Sequence, residues 1–386
     1  MVYITGYGLL SSLPEDPQNL WNTLNATGQA LHSVVDVKKF APFFTHPLTD
    51  YCVETQIPNQ TDRRVMSESM QAAVYAAGLA LNRANLTPDE RKDTDIIVSF
   101  SGGERDETID NEMLCQYNTE NIHTPNLNEL LMTHVRPTLF LKQLPNLLTA
   151  NIAILHGTTG NSLTLMGEET AGAQAIQIAY QRILSGKTER VLVGSVSIGE
   201  TRDKVLRYAT ENLLLSGKFL PVWDRNQGGI CLGSASGFLL LESSASAKKR
   251  QVPGLARFSY LNLTNTLQEN WQPVFAQNHH EWAILSGLNA YPGHVQQEIA
   301  FWTTHAKQEK VWIRALSSVM GTLLSATFPS YLILALICLQ RQQLFAPLPS
   351  QLGIEQAYPC DRTLDKLWVH SQGHLSGHAL ACLERI

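Results

Sequence analysis

The chain closes two long stretches in the same manner, and this recurrence constrains its fold more than any single motif. The first stretch ends in Gly229-Ile230-Cys231-Leu232-Gly233 and then, across small residues, Ala235-Ser236-Gly237-Phe238-Leu239-Leu240-Leu241-Glu242. The second ends in Leu367-Trp368-Val369-His370, a Gly/Ser-rich turn, and Ala379-Leu380-Ala381-Cys382-Leu383-Glu384. Each reads as two strand-like runs paired in a hairpin. Short apolar runs suited to buried strands lie at Val2–Thr5, Asp95–Ser99, Arg190–Gly194 and Val311–Arg314. Between them, Ser67–Ala84 and Ala171–Leu184 each place apolar residues on one helical face. Strands alternating with helices specify an α/β fold, and the repeated ending specifies an internal duplication. The halves are expected at 1–245 and 246–386, joined by the polar segment Ser243–Arg250.

Composition narrows the function classes. The 386 residues suffice for one large domain or two closely joined ones. Charged residues make up only 16%, against 44% hydrophobic, which implies extensive burial within or between subunits. A net charge of −5 with no basic stripe argues against nucleic acid or an anionic membrane as the main partner. The six cysteines are scattered, with no C-x-x-C pair and no zinc spacing. They read as free thiols of a cytoplasmic protein, with no metal and no cofactor expected. Met1–Gly8 lacks a basic leader region and reads as a first strand rather than a signal peptide. The most apolar stretch, Leu323–Leu339, is shorter than the roughly 20 residues a span needs and contains Ser325, Thr327, Pro329 and Ser330. It reads as a buried core helix, so no integral membrane segment is expected.

Residues Gly160-Asn161-Ser162-Leu163-Thr164-Leu165-Met166-Gly167-Glu168-Glu169-Thr170-Ala171-Gly172 resemble the active-site elbow of the β-ketoacyl-acyl-carrier-protein synthases, roughly G-P-S-x-S-x-x-T-A-C-x-S-G. Val2 to Gly8 resembles their opening V-x-x-T-G-x-G, with Trp21 in the following helix. Arg136-Pro137 and Leu144-Pro145-Asn146 through His156-Gly157 resemble the segment leading to the elbow. Leu220 to Gly229 resembles R-P-F-D-x-x-R-D-G-F, and Gly233 and Gly237 fit G-E-G-A-G. The resemblance runs nearly end to end and is weakest over Arg105–His134, which is longer than in simple ketosynthases. It implies a thiolase-like fold of duplicated five-layer α-β-α-β-α architecture.

The same comparison implies that the chemistry is gone. A decarboxylating ketosynthase needs a cysteine thiolate to accept the acyl chain and two histidines to stabilise the enolate and oxyanion. Glu169 stands for the cysteine. In the stretch resembling N-A-H-G-T, Tyr291 replaces the first histidine, with His294 close enough to substitute under a shifted register. In the stretch resembling K-S-x-T-G-H, Ser317 replaces the lysine and Thr322 the second histidine. The G-F-G-G-T-N loop has become Gly373–His378 and lost its phenylalanine. A carboxylate cannot form a thioester, and negative charge there repels malonate, so neither condensation nor decarboxylation is expected. The plain alternative is a structural carboxylate near a helix N-terminus, where the macrodipole favours it.

Three features look like sites and are not. Ser185-Gly186-Lys187-Thr188 mimics the end of a phosphate-binding loop but follows a helix, so it reads as a C-cap turn. His374 and His378 have metal-pair spacing but lie in a Gly/Ser turn. His279-His280 read as solvated loop residues.

In type II polyketide systems an active ketosynthase pairs with an inactive paralogue, the chain-length factor, which closes the acyl tunnel at the interface. The resemblance therefore implies such a factor, partnered by an active ketosynthase and meeting acyl carrier protein through it, in type II polyketide, fatty-acid-like or aryl polyene biosynthesis. Tunnel residues are then expected at Leu139, Met113, Leu114 and Tyr117. The rivals are an altered-chemistry decarboxylase or acyltransferase, and a non-catalytic homodimeric scaffold.

Overall fold

The computed structural model describes residues 1–26, 34–117, 127–135, 137–167, 169–275, 281–305, 310–348, 350–373 and 377–386. Ten strands build the main sheet. They are β1 (Val2–Leu10), β2 (Asp95–Ser99), β3 (Ser162–Leu165), β4 (Arg190–Ser197), β5 (Ala235–Ser243), β6 (Ala256–Thr264), β7 (Glu281–Gly287), β8 (Lys310–Ala315), β9 (Lys366–Gln372) and β10 (His378–Glu384). Their spatial order is β8-β7-β9-β10-β6-β1-β5-β4-β2-β3. Read outward from the middle, the first five run β1-β5-β4-β2-β3 and the second five run β6-β10-β9-β7-β8. The second series is the first with five added to every label. Parallel and antiparallel pairings correspond as well, with the last strand of each half antiparallel to its neighbours. Within the sheet, the described residues join the two fives where Tyr3 and Ile4 of β1 pair with Arg257 and Ala256 of β6. The expected break at 245/246 falls inside the short connecting helix Ser244–Lys249.

The layers follow from strand alternation. In β2, Ile97 faces one apolar cluster while Ile96 and Val98 face another. In β4, Val191 and Val193 oppose Leu192 and Val196. In the second half, Ala283 and Leu285 of β7 face the first of these clusters, and Trp282 and Ile284 face a third. The shared cluster is the middle layer. It holds two helices, α6 (Ala171–Leu184) and α9 (Thr327–Arg341), which touch each other and strands of both halves. Outside lie α1 (Glu68–Arg83) and α5 (Asn146–His156) on the first five strands, and α7 (Leu267–Phe275) and α8 (His294–His305) on the second. The remaining helices named below are α2 (Glu107–Tyr117), α3 (Leu127–His134) and α4 (Pro137–Gln143). The five-layer duplicated architecture is thus present.

Residues Phe328 to Leu339 of α9 are all buried. The span Leu324–Arg341 is long and apolar enough to cross a membrane, and 89% of it lies inside the protein. Its all-round apolarity is that of a helix packed from every side. Burial of each Leu or Ile is worth about 1.5–3 kcal/mol, which makes α9 the main contributor to the middle layer. Outside it, α1 crosses β1 where Gly6 and Gly8 leave no side chain; a Cβ at either would overlap the carbonyl oxygen of Ala80 or Ala76.

The hairpin expected at Gly229–Glu242 does not form. Strand β5 pairs instead with β1 and with β4, nearly forty residues earlier. Leu232 and Gly233 leave the sheet and pair in parallel with Thr45 and His46. The cause is local: Gly233 N–H donates to the Thr322 carbonyl at 3.0 Å and Ser234 N–H to the His46 carbonyl at 2.9 Å. A Cβ at Gly233 would overlap the Met320 carbonyl. The small residues that suggested a turn serve a close crossing between the halves. The second expected hairpin, β9–β10, forms over its whole length. The turn at Ser185–Thr188 is a helix C-cap, with Gly186 at φ +70° and its N–H on the Ile183 carbonyl.

The two outer strands differ in how they are covered. The amides of Ile96 on β2 and of Phe100 just beyond it donate to the carbonyls of Asn161, just before β3, and of Leu165 at its end, so the alternate residues Ser162 and Thr164 turn their backbone groups outward. β3 is exposed to half-buried along its length. In β8 the corresponding outward amide, that of Ala315, donates to Glu355 Oε1 at 2.8 Å, and Ile313 to Ala315 are buried. The second edge is covered by the chain's own segment 344–365.

Candidate functional site

Strand β3 leads through Met166 and Gly167 to Glu169, and α6 starts at Ala171. Glu169 therefore sits where a strand turns into a fourteen-residue helix. Gly172 sets what lies next to it. A Cβ there would overlap the Ser325 carbonyl oxygen, so the start of α6 packs directly on the turn before α9. That turn carries Ser317 and Thr322 against the elbow.

Glu169, Ser317 and Thr322 line one recess together with Asn289, Tyr331 and Gln372. The resemblance placed the first three in one site, and the fold brings them together. The recess has a volume of about 10 Å³, room for at most one water. Several of its polar groups are already engaged, while Gln372 Oε1 is buried without a hydrogen-bond partner among the described residues. Ser317 Oγ donates to the Leu288 carbonyl. Thr322 Oγ1 donates to the Asn289 carbonyl at 3.3 Å, and its amide to the Cys231 carbonyl at 2.7 Å. Burial pushes the Tyr331 hydroxyl well above its ordinary range, so it stays neutral. On the other side, a Cβ at Gly377 would overlap Thr170 Cγ2, so Gly377, just before β10, lies directly on the elbow. His374, like His279, His280, Arg136 and Glu168, is outside the described residues.

Tyr291 is not a wall of this recess. It packs against an adjoining apolar cluster that includes Ile230, Leu232 and Leu324, and its ring lies 5.2 Å from that of His294. His294 Nδ1 is 3.1 Å from Asn289 Oδ1, and it does not line the recess either. His378 is a buried strand residue whose Nδ1 lies 3.1 Å from His370 Nε2. Among the described residues no three His, Cys, Asp or Glu side chains converge as metal ligands do.

Of the tunnel candidates, Leu139 lines a cavity that Met113 and Leu114 do not line. This cavity has a volume of about 440 Å³, and its other walls include Met66, Glu68, Glu104, Arg105 and Lys142. Met113 on α2 is half-buried and Leu114 is exposed; the side chain of Tyr117 is outside the described residues. Charge, rather than an apolar lining, distinguishes this cavity, and Glu104 borders a second, smaller cavity with Ser69, Ser101, Ser197 and Lys204. Glu68, Glu104 and Lys142 escaped the sequence reading because they come from three elements and share no motif. Asn289 and Gln372 escaped it because only the fold places them opposite Glu169.

Residues 1–247 match the family Beta-ketoacyl synthase, N-terminal domain. The chain belongs to the β-ketoacyl synthase family, and its fold is the thiolase-like one. Among relatives, it is 25% identical over 140 residues to the 3-oxoacyl-[acyl-carrier-protein] synthase 2 of Mycobacterium leprae (strain TN), covering 35% of this chain and 33% of that protein. It is 23% identical over 273 residues to the chloroplastic 3-oxoacyl-[acyl-carrier-protein] synthase I of Arabidopsis thaliana, covering 67% of this chain and 54% of that one. The chain thus spans from a third to about half of these relatives. Among solved structures it is similar to the ishigamide ketosynthase/chain length factor, with a TM-score of 0.79 at 16% identity, covering all of this chain and 99% of the other. A β-ketoacyl synthase from Burkholderia phymatum STM815 gives a TM-score of 0.78 at 18% identity, with the same coverage. A type II polyketide acyl-carrier protein in complex with its ketosynthase bound to the hexaketide gives 0.72 at 16%.

Proposed function

We propose that this chain is a non-catalytic, chain-length-factor-like subunit that pairs with an active ketosynthase of type II polyketide or fatty-acid-like biosynthesis, aryl polyene pathways included. The observation that supports this reading is the elbow: Glu169, which the motif resemblance sets in the place of the nucleophile, lines a recess of only about 10 Å³. A cysteine thiolate and an oxyanion site are both needed for transfer, and neither is supplied by Glu169, Ser317 and Thr322. The partner provides them and receives the acyl-carrier protein.

The open edge of β3 supports the partnership. Among the described residues, eight of the fourteen exposed large apolar side chains lie between residues 114 and 166, in α2 to α5 and just after β3. Met132 is 85% exposed, Ile154 78% and Met166 69%. An uncovered strand edge beside exposed apolar groups is a surface for another chain. Pairing β3 with the partner's equivalent strand satisfies Thr164 and extends the sheet across the interface.

Three experiments test this. Co-expression with a paralogue carrying the Cys-His-His set should yield a one-to-one pair that condenses malonyl units, while this chain alone releases no CO2 from malonyl-carrier protein. CO2 release by the isolated chain would favour the decarboxylase reading, and a homodimer that ignores the paralogue would favour the scaffold. Thr164→Pro removes the outward amide of β3, a change an edge strand tolerates internally. It should weaken the pair on the order of 100-fold, as loss of interfacial hydrogen bonds and strand register implies, measured by sedimentation. An unchanged dissociation constant would place the interface elsewhere. Leu139→Trp should shorten the pair's products without separating the subunits; products of unaltered length would remove Leu139 from the tunnel.

A further inference from the structure

The second open strand of a duplicated sheet is a liability, and this chain has closed it with a device of its own. Among the described residues strand β8 pairs only with β7, so by topology it is as much an edge as β3. The segment 344–365 crosses it and is fastened at both ends. At one end Glu355, wholly buried, accepts from the Ala315 amide at 2.8 Å, the Leu348 amide at 2.8 Å and Trp223 Nε1 at 2.9 Å. Arg314 of β8 donates to the carbonyls of Phe345 and Gln356 and also to that of Ile313, an outward-facing group of the same strand. Its guanidinium is 3.9 Å from Glu355, both groups fully buried. At the other end Tyr358 packs edge-on against Trp312 at 5.1 Å, and Arg362 lies over the Trp312 ring while pairing with Glu281. A buried ion pair is weak evidence of net stability and is retained where it fixes an arrangement. Here the arrangement is a covered strand edge.

We infer that the segment 344–365, latched by Glu355, confines strand-edge pairing to β3, so that the chain accepts one partner and assembly closes at two subunits. Without the latch each subunit presents two edges of opposite ends, and a head-to-tail contact that does not close grows without limit. The inference holds whether the subunit on β3 is a paralogue or a second copy.

Hydrogen exchange and native mass spectrometry test it on the full chain. Glu355→Gln keeps the shape but halves the acceptor set, and Tyr358→Ala with Arg362→Ala loosens the outer fastening without touching the buried ion pair. Either should raise exchange at the Ile313 and Ala315 amides at least about tenfold, as opening of a protected edge implies. Each should also produce species larger than two subunits. Combining either with Thr164→Pro should leave self-association through β8 that Thr164→Pro alone lacks. Faster exchange at 313 and 315 with no added assembly, or unchanged exchange in both variants, would overturn the inference. A Thr164→Pro chain that stays paired would count against the β3 interface, while the effect of adding Glu355→Gln would still decide the role of the latch.

Discussion

A methyl group at position 172 is expected to destabilise the chain by about 3 kcal/mol, the upper part of the range for overpacking a tight interior. The obstacle is the Ser325 carbonyl, a backbone atom held by the turn that leads into α9, and backbone cannot step aside as a flexible side chain can. Gly172→Ala must therefore separate α6 from α9 or shift the elbow, and both disturb the layer shared by the two halves. Chemical denaturation should show a lower midpoint, while Gln174→Ala, on the exposed side of the same helix, should leave it unchanged. A Gly172→Ala chain as stable as the original would mean that the two central helices do not meet as described.

The second large effect is a pH-dependent gain in stability on replacing Glu298 by Gln. This carboxyl is buried beneath α8, where Ser286 Oγ and Trp302 Nε1, the latter at 3.0 Å, donate to Oε1. Burial raises its pKa from 4.5 to about 7 despite those donors. A carboxyl raised on folding is favourable to the folded state only while protonated. Stability is lost as pH rises from about 4.5 to about 7, and above that the loss is complete, of order 3 kcal/mol. Glu298→Gln lacks this ionisation, so its advantage over the original should grow across that interval and level off above pH 7. The histidines titrate in the opposite sense. Burial depresses His378 to about 4, and His370 is held well below its ordinary value by burial and by His378. Their contribution is lost as pH falls below 6.5 and cancels when the two proteins are compared. Urea midpoints from pH 4.5 to 8.5 measure the difference; a difference constant in pH would show that Glu298 is not buried in this way.

Much of the fold was legible because it rests on alternation and repetition. The strand at Asp95–Ser99, the helix at Ala171–Leu184 and the hairpin Lys366–Glu384 all appear as the apolar patterns predict. The first hairpin was misread because Gly233 and Ser234 resemble turn residues, whereas they are small to let Met320 and His46 come close. Close crossings and tight turns select the same residue types, so composition alone does not separate them. For the site, motif order placed Glu169, Ser317 and Thr322 together, since each is fixed to the end of a strand or the start of a central helix. Tyr291 left the group because it packs against the apolar cluster around Ile230 and Leu232, a placement that sequence spacing does not specify. The latch at Glu355 was invisible for a related reason. Its partners, Trp223, Ala315 and Leu348, come from three segments, and a lone glutamate in a polar loop carries no pattern.

The central claim is that the elbow of this chain no longer takes an acyl group. Intact-protein mass spectrometry of the co-expressed pair, after incubation with acyl- and malonyl-loaded carrier protein, tests it directly. The account predicts an acyl mass increment on the cysteine-bearing partner and none on this chain. An acyl adduct on this chain, at Glu169 or at any side chain of its recess, would contradict it.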